Sequence, residues 1–168
     1  EQRHVILVTL DGVRVQELFG GMDPVIANAP EAESGIYDIE ITRQRWWRDT
    51  PGARREALMP FFWTTLVPAG MVLGNEAKGS KVTVQNDQWF SYPGYAEMMT
   101  GEPHPEVTSN DFVRYPNRTV LEHAREALGL EHDEVAQIGS WDGLKYAASS
   151  RDGAFFMNGG RDAGPAAL

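Results

Sequence analysis

The chain has 168 residues, 42% of them hydrophobic, which is enough to bury one substantial core. Its 24 acidic and 15 basic residues give a formal charge of −9, which argues against a nucleic-acid or anionic-membrane surface as the principal partner. There is no cysteine, so disulfides, thiolate metal sites and thiol nucleophiles are excluded, and no apolar run approaches the length of a transmembrane segment. An anionic substrate stays open, because a bound cation can reverse the local field.

The chain opens at Glu1 without a methionine or a signal peptide, a start that fits a processed periplasmic or secreted protein and fits a trimmed chain as well. His4 to Leu10, HVILVTL, is nearly continuous in apolar and β-branched residues, the pattern of a strand buried on both faces of a parallel sheet. Asp11-Gly12 follows it, either a carboxylate at the ligand-binding end of a strand or a plain turn. Val13 to Phe19 suggests a turn of helix, and Tyr37 to Thr42 a short strand. The cluster Arg43, Arg45, Trp46, Trp47 and Arg48 resembles a stacking platform, but in an acidic chain it is expected to pack a loop or helix against the domain.

From Gly52, apolar residues at 57, 58, 61, 62 and 66 recur at helical spacing, with Pro60 expected to kink or restart the helix. Val82 to Gln85 alternates as a strand would. Phe90 to Gly101, FSYPGYAEMMTG, then reads as a short helix with Ser91 as N-cap, Pro93 in its first turn and Gly101 as its stop. After a loop from Glu102 to Pro116, Thr119 and Glu122 form a capping box for a helix ending at Gly129. Strands are expected at Val135 to Ile138 and Ala154 to Met157. The sequon Asn117-Arg118-Thr119 carries little weight in a single sequence. The order implies a layered α/β/α fold with a largely parallel sheet, residues 1–168 belonging to a single domain.

Two residues carry the chemistry. Asp11 and Ser91 each follow an expected strand, and parallel neighbouring strands would bring both to one sheet edge. A metal-binding carboxylate beside a hydroxyl at a helix N-terminus suits a metal-activated nucleophile acting on an anionic group. The plainer reading makes Ser91 only a helix cap. No histidine near Ser91 has a triad-like spacing, and its flanks do not match a G-x-S-x-G elbow.

VILVTLDGVR (Val5 to Arg14), FSYPGYAEMMTG and the Ser109-Asn110-Asp111 triplet resemble the alkaline phosphatase superfamily, above all its phosphodiesterase, nucleotide pyrophosphatase and sulfatase-like branch. IGSWDG at Ile138 to Gly143 and FMNGG at Phe156 to Gly160 look like later strand ends of that branch. The resemblance implies a hydrolase with two divalent metal ions, usually zinc. It makes Asp11 a metal ligand, Ser91 both a metal ligand and the nucleophile, and Asn110 the holder of a phosphoryl oxygen, two residues short of the usual spacing. The implied substrate is a small phosphate monoester or diester.

The chain also departs from that pattern. The superfamily's further ligands include an Asp with a His four residues on, an Asp-His pair and a late His. None of His4, His104, His123 and His132 follows an aspartate in either way. The sequence therefore reads as the amino-terminal part of a longer enzyme whose remaining carboxyl-terminal part supplies the other ligands. A non-catalytic binding or scaffold module that kept the fold is the alternative. Sulfate ester hydrolysis is the near neighbour, disfavoured because Ser91-Tyr92-Pro93-Gly94-Tyr95 lacks the arginine of the C/S-x-P-x-R pattern.

Overall fold

The computed structural model describes residues 4–160, which form two compact units dividing between Thr83 and Val84. The first unit is helical among the described residues. Its elements are α1 (Val15–Gly20), α2 (Pro24–Asn28), α3 (Glu31–Ser34), α4 (Ile39–Trp46) and α5 (Pro51–Leu58), then a π-helical stretch (Phe62–Leu66), α6 (Val67–Ala69) and a 3-10 turn (Glu76–Lys78). Asp23, Asp38 and Thr50 cap α2, α4 and α5 by accepting from the N–H groups of Val25, Ile41 and Ala53. Pro60 acts as its chemistry requires: α5 stops at Leu58, and the chain re-enters helical geometry at Pro60 before widening into the π-helical stretch.

The core of this unit joins Met22, Ala27 and Ile39, with Trp46 and Trp47 packed against it. Arg54 is buried because its guanidinium donates to the carbonyls of Gly20 (3.3 Å) and Arg48 (3.1 Å) and lies 4.8 Å from the centre of the Trp47 ring. Gly21, at φ 71°, abuts the Arg54 backbone so closely that a Cβ would collide with it, which lets α1 and α5 touch.

Three expected strands are absent here. Tyr37 to Thr42 is not a strand, because the Asp38 carboxylate takes the Ile41 N–H (2.9 Å) and starts α4 instead. His4 to Leu10 joins no ladder and is not buried: Val5 is 95% and Ile6 84% exposed. Val82 to Gln85 likewise forms no strand. Apolar alternation marks a segment suited to a sheet, but a ladder needs a neighbour, and the first unit has no strand among its described residues.

The second unit mixes helix and strand. It contains α7 (Ser91–Thr100), α8 (Val120–Leu128), β1 (Ala136–Ile138), α9 (Leu144–Ala147) and β2 (Phe156–Asn158). β1 and β2 form a two-stranded parallel sheet with Gln137 opposite Met157. One core cluster gathers Tyr92, Tyr95, Ala96, Val107 and Ala147. Another gathers Val135, Ala148, Ala154 and Phe155, with Leu121 of α8 against it.

The capping box of α8 forms as expected and extends further. Buried Glu122 accepts from the Thr119 N–H (3.0 Å), the Ser150 N–H (2.9 Å) and the Ser150 hydroxyl (2.7 Å). Thr119 Oγ1 reaches the Ala148 carbonyl at 2.7 Å. One carboxylate thus ties the start of α8 to the chain that follows α9. Burial opposes ionisation of Glu122, but the donors from Ser150 and Thr119 outweigh it and hold the carboxyl below its ordinary range.

Replacing Glu122 by Gln, which turns an acceptor-only group into one that also presents an N–H2, is expected to cost about 2 kcal/mol in urea unfolding at pH 7. Because the folded pKa is depressed, wild type holds this stabilisation above the unfolded value near ~4.3 and loses it as pH falls through the folded value. The difference between wild type and variant should therefore shrink in acid.

Candidate functional site

α7 begins one residue earlier than a serine cap would require. Phe90 is the N-cap, extended at φ −128° and ψ 153° and supplying no side-chain bond, and Ser91 is the first helical residue. Ser91 as N-cap is therefore corrected to the position after it. Pro93 falls within the first turn, where its missing N–H costs nothing, and Gly101 at φ 85° closes the helix.

The first turn is served by a residue distant in sequence. The Tyr92 N–H donates to Asn110 Oδ1 at 2.9 Å, so the Asn110 side chain stands beside the residue that follows Ser91. This bond also orients the amide. A backbone N–H can only donate, so the oxygen must face it, and Nδ2 is left as a donor on the other arm. The Tyr92 hydroxyl donates to the Val113 carbonyl at 2.6 Å, so the segment from 110 to 113 is fastened to Tyr92 at two points. Tyr92 is 2% exposed, and burial, with Tyr115 nearby, pushes its phenol up to about 12. The two rings meet edge to face at 5.8 Å.

A backbone anion nest is not what this turn offers. The Tyr92 N–H is taken by Asn110, and Pro93 has none. An anion at Ser91 would meet the positive end of a ten-residue helix and the Asn110 amide rather than a ring of open N–H groups. Below the turn, a cavity of about 10 Å³ between Tyr92, Thr100, Tyr115 and Asn117 has room for about one water and none for an organic ester.

Asp11 belongs to the first unit, where it is exposed and forms a turn with Gly12 at φ 74°. Ser91 and Asn110 belong to the second, and of the three residues these two are brought together within one unit. Asp87 accepts from Gln88 Nε2 and Asp111 from the Ser109 hydroxyl, so both are engaged in their own loops. His104 contacts Thr100 Oγ1 at 2.8 Å and Glu106 at 3.6 Å, a structural role at the end of α7. Thr119 of the sequon is buried, and Asn117 donates to Glu106.

The aromatic-basic cluster is absorbed into packing. Arg43 donates to the Ala27 carbonyl, Arg48 donates to the Trp47 carbonyl, and both tryptophans lie against the core of the first unit. Among the described residues no three His, Asp or Glu side chains converge as metal ligands would. No described helix is long and apolar enough to cross a membrane.

One residue with a bearing on the site had no distinct signal in the sequence. Glu97 is a single carboxylate within the helical stretch Ala96-Glu97-Met98-Met99, ordinary by composition, yet it accepts hydrogen bonds from the segment leading to Ser91. Comparison of the chain with protein-family profiles, curated proteins and solved structures yields no match.

Asn110→Ala is expected to cost about 1 kcal/mol of stability, the worth of a helix-end acceptor. Asn110→Asp keeps an acceptor for the Tyr92 N–H and should restore most of that stability. It removes the amide donor and adds a negative charge, so it should still fail to favour an anion at Ser91. Urea unfolding beside a phosphate titration followed by NMR separates the two effects.

Proposed function

We propose that this chain is the nucleophile-bearing, amino-terminal part of a metal-dependent phosphate-ester hydrolase with an alkaline-phosphatase-like layered α/β/α fold. The observation that carries the reading is the Tyr92 N–H bond to Asn110, which holds an amide side chain next to Ser91 at the start of α7. A hydroxyl and an amide donor at the positive end of a helix suit an attack on phosphorus that develops negative charge.

Ser91 Oγ would attack phosphorus in line with the leaving alcohol or phenol. As the O–P bond forms, the ester oxygen departs with its electron pair, and the serine proton passes to solvent or to a base. Water would then cleave the phosphoserine, releasing phosphate or a phosphate monoester. Asn110 would donate to a phosphoryl oxygen as charge accumulates.

The resemblance in Val5 to Arg14 and in Phe90 to Gly101 makes Asp11 and Ser91 this chain's share of a two-zinc ligand set, whose remaining ligands would come from polypeptide outside these residues. Zinc there would supply Lewis-acid stabilisation and lower the pKa of an oxygen bound to it. The Tyr92 N–H bond to Asn110 Oδ1 supports the roles that the resemblance implies for Ser91 and Asn110 by holding the amide beside the start of α7.

The test has two parts. The 168-residue chain should take up at most one weakly held zinc by calorimetry and show negligible turnover of an aryl phosphate or a diaryl phosphodiester. Joined to a polypeptide that supplies the Asp and His ligands, it should hydrolyse these esters, with Ser91→Ala and Asp11→Ala each lowering kcat/KM by at least about 10³-fold. Hydrolysis that neither substitution lowers would remove the enzyme reading and leave a binding module. Cleavage of a sulfate ester in preference to a phosphate ester would move the substrate class.

A further inference from the structure

The approach to Ser91 is built in an unusual way. The residues immediately before it are not fixed by packing: Trp89 is 96% exposed and Phe90 50% exposed. The N-cap, Phe90, makes no side-chain bond that would set the angle at which the chain enters α7. What ties this segment down lies on α7 itself, six residues past Ser91. Glu97 Oε1 accepts the Gln85 N–H at 2.7 Å, and Oε2 accepts the Asn86 N–H at 2.9 Å and Asn86 Nδ2 at 2.6 Å. Asn86 Oδ1 then accepts the Gln88 N–H at 3.0 Å, closing a local turn.

The consequence is a short closed loop. Residues 85–90 are held at one end by the Glu97 carboxylate and at the other by the peptide bond into α7. A loop of this length has few conformations left once both ends are fixed, so the clamp limits how Phe90 can deliver Ser91 to the helix. The donors also act on the carboxylate. The Asn86 side chain first, and then the Gln85 N–H, hold it below its ordinary range.

We propose that Glu97 is a positioning residue for the Ser91 site, fixing the 85–90 segment so that Ser91 and the Asn110 amide keep their relative placement. This rests on the reading of Ser91 as a phosphate-directed nucleophile. Glu97 touches no substrate; it acts through the backbone of Gln85 and Asn86. An isosteric amide cannot replace it, because three donors converge on two oxygens and the Nε2 of a glutamine would face a donor.

The test uses the 168-residue chain, inorganic phosphate as probe, and NMR of the Ser91 and Tyr92 amides, with and without zinc. Glu97→Gln should speed hydrogen exchange at Gln85 and Asn86, carry that increase to Tyr92, and weaken phosphate binding by about 10-fold. Glu102→Gln, an exposed carboxylate just beyond α7, should change neither. Asn86→Ala removes the side-chain donor and the local turn while leaving the carboxylate its backbone donors, and should show a smaller loss in the same direction. It serves as the deciding variant if Glu97→Gln fails to fold.

Two failures are distinguishable. If phosphate does not shift Ser91 in wild type under either condition, the site reading falls, and the positioning role falls with it. If phosphate binds in wild type and is lost in Ser91→Ala and Asn110→Asp, yet a folded Glu97→Gln or Asn86→Ala binds as wild type does, the site stands and the positioning role is overturned. A loss of stability alone, with phosphate affinity intact, also overturns it.

Discussion

Tyr92 is the pin on which the second unit turns. Its main chain and its side chain are claimed by the same stretch of polypeptide, the N–H by Asn110 and the hydroxyl by the Val113 carbonyl. A buried phenol without a partner would be costly, and one with a backbone partner is specific about where that backbone must lie. The irregular chain after α7 is therefore seated against the helix start, although it has no regular structure of its own from 111 to 119. The Tyr92 ring also belongs to the core cluster with Ala96, Val107 and Ala147, so the site and the packing share a residue.

The rest of the second unit is secured by two charged groups that spend themselves on backbone. Glu122 gathers Thr119 and Ser150, while Arg114 donates to the carbonyls of Lys145 (2.7 Å) and Ser149 (2.9 Å) and lies 5.0 Å from the centre of the Tyr146 ring. Both serve the short α9 and the turn after it, beside the packing of α9 against α7. A two-stranded sheet is marginal by itself, and these polar ties add the constraint that a third strand would otherwise give.

How much of this was legible depended on whether the deciding interaction was local. The Thr119–Glu122 capping box, the interruption at Pro60, the stop at Gly101 and the strands around Gln137 and Met157 are written in a few adjacent residues, and each appears. The α4 start was misread because the β-branched Ile39, Ile41 and Thr42 outweighed a cap at Asp38 that decides the matter. His4 to Leu10 was misread for a different reason: its apolar pattern states what the segment suits, and says nothing of whether a partner strand stands beside it. At the site, the Ser91 helix was readable from its punctuation, and Asn110 was reached through the family resemblance alone. The tie from Glu97 back to Asn86 had no signature, since any helix carries an occasional glutamate.

The exposed run from Val5 to Leu10 has a consequence for how copies of this chain treat one another. A β-branched, uncharged segment outside any ladder is a template onto which another strand can add. The surplus of acidic side chains, −9 in all, opposes this by making any two copies repel at distance. The two tendencies differ in range: repulsion acts over a Debye length and weakens as salt rises, whereas strand addition acts at contact and does not. Raising the salt therefore weakens the repulsion between copies while leaving the contact between exposed segments as it was.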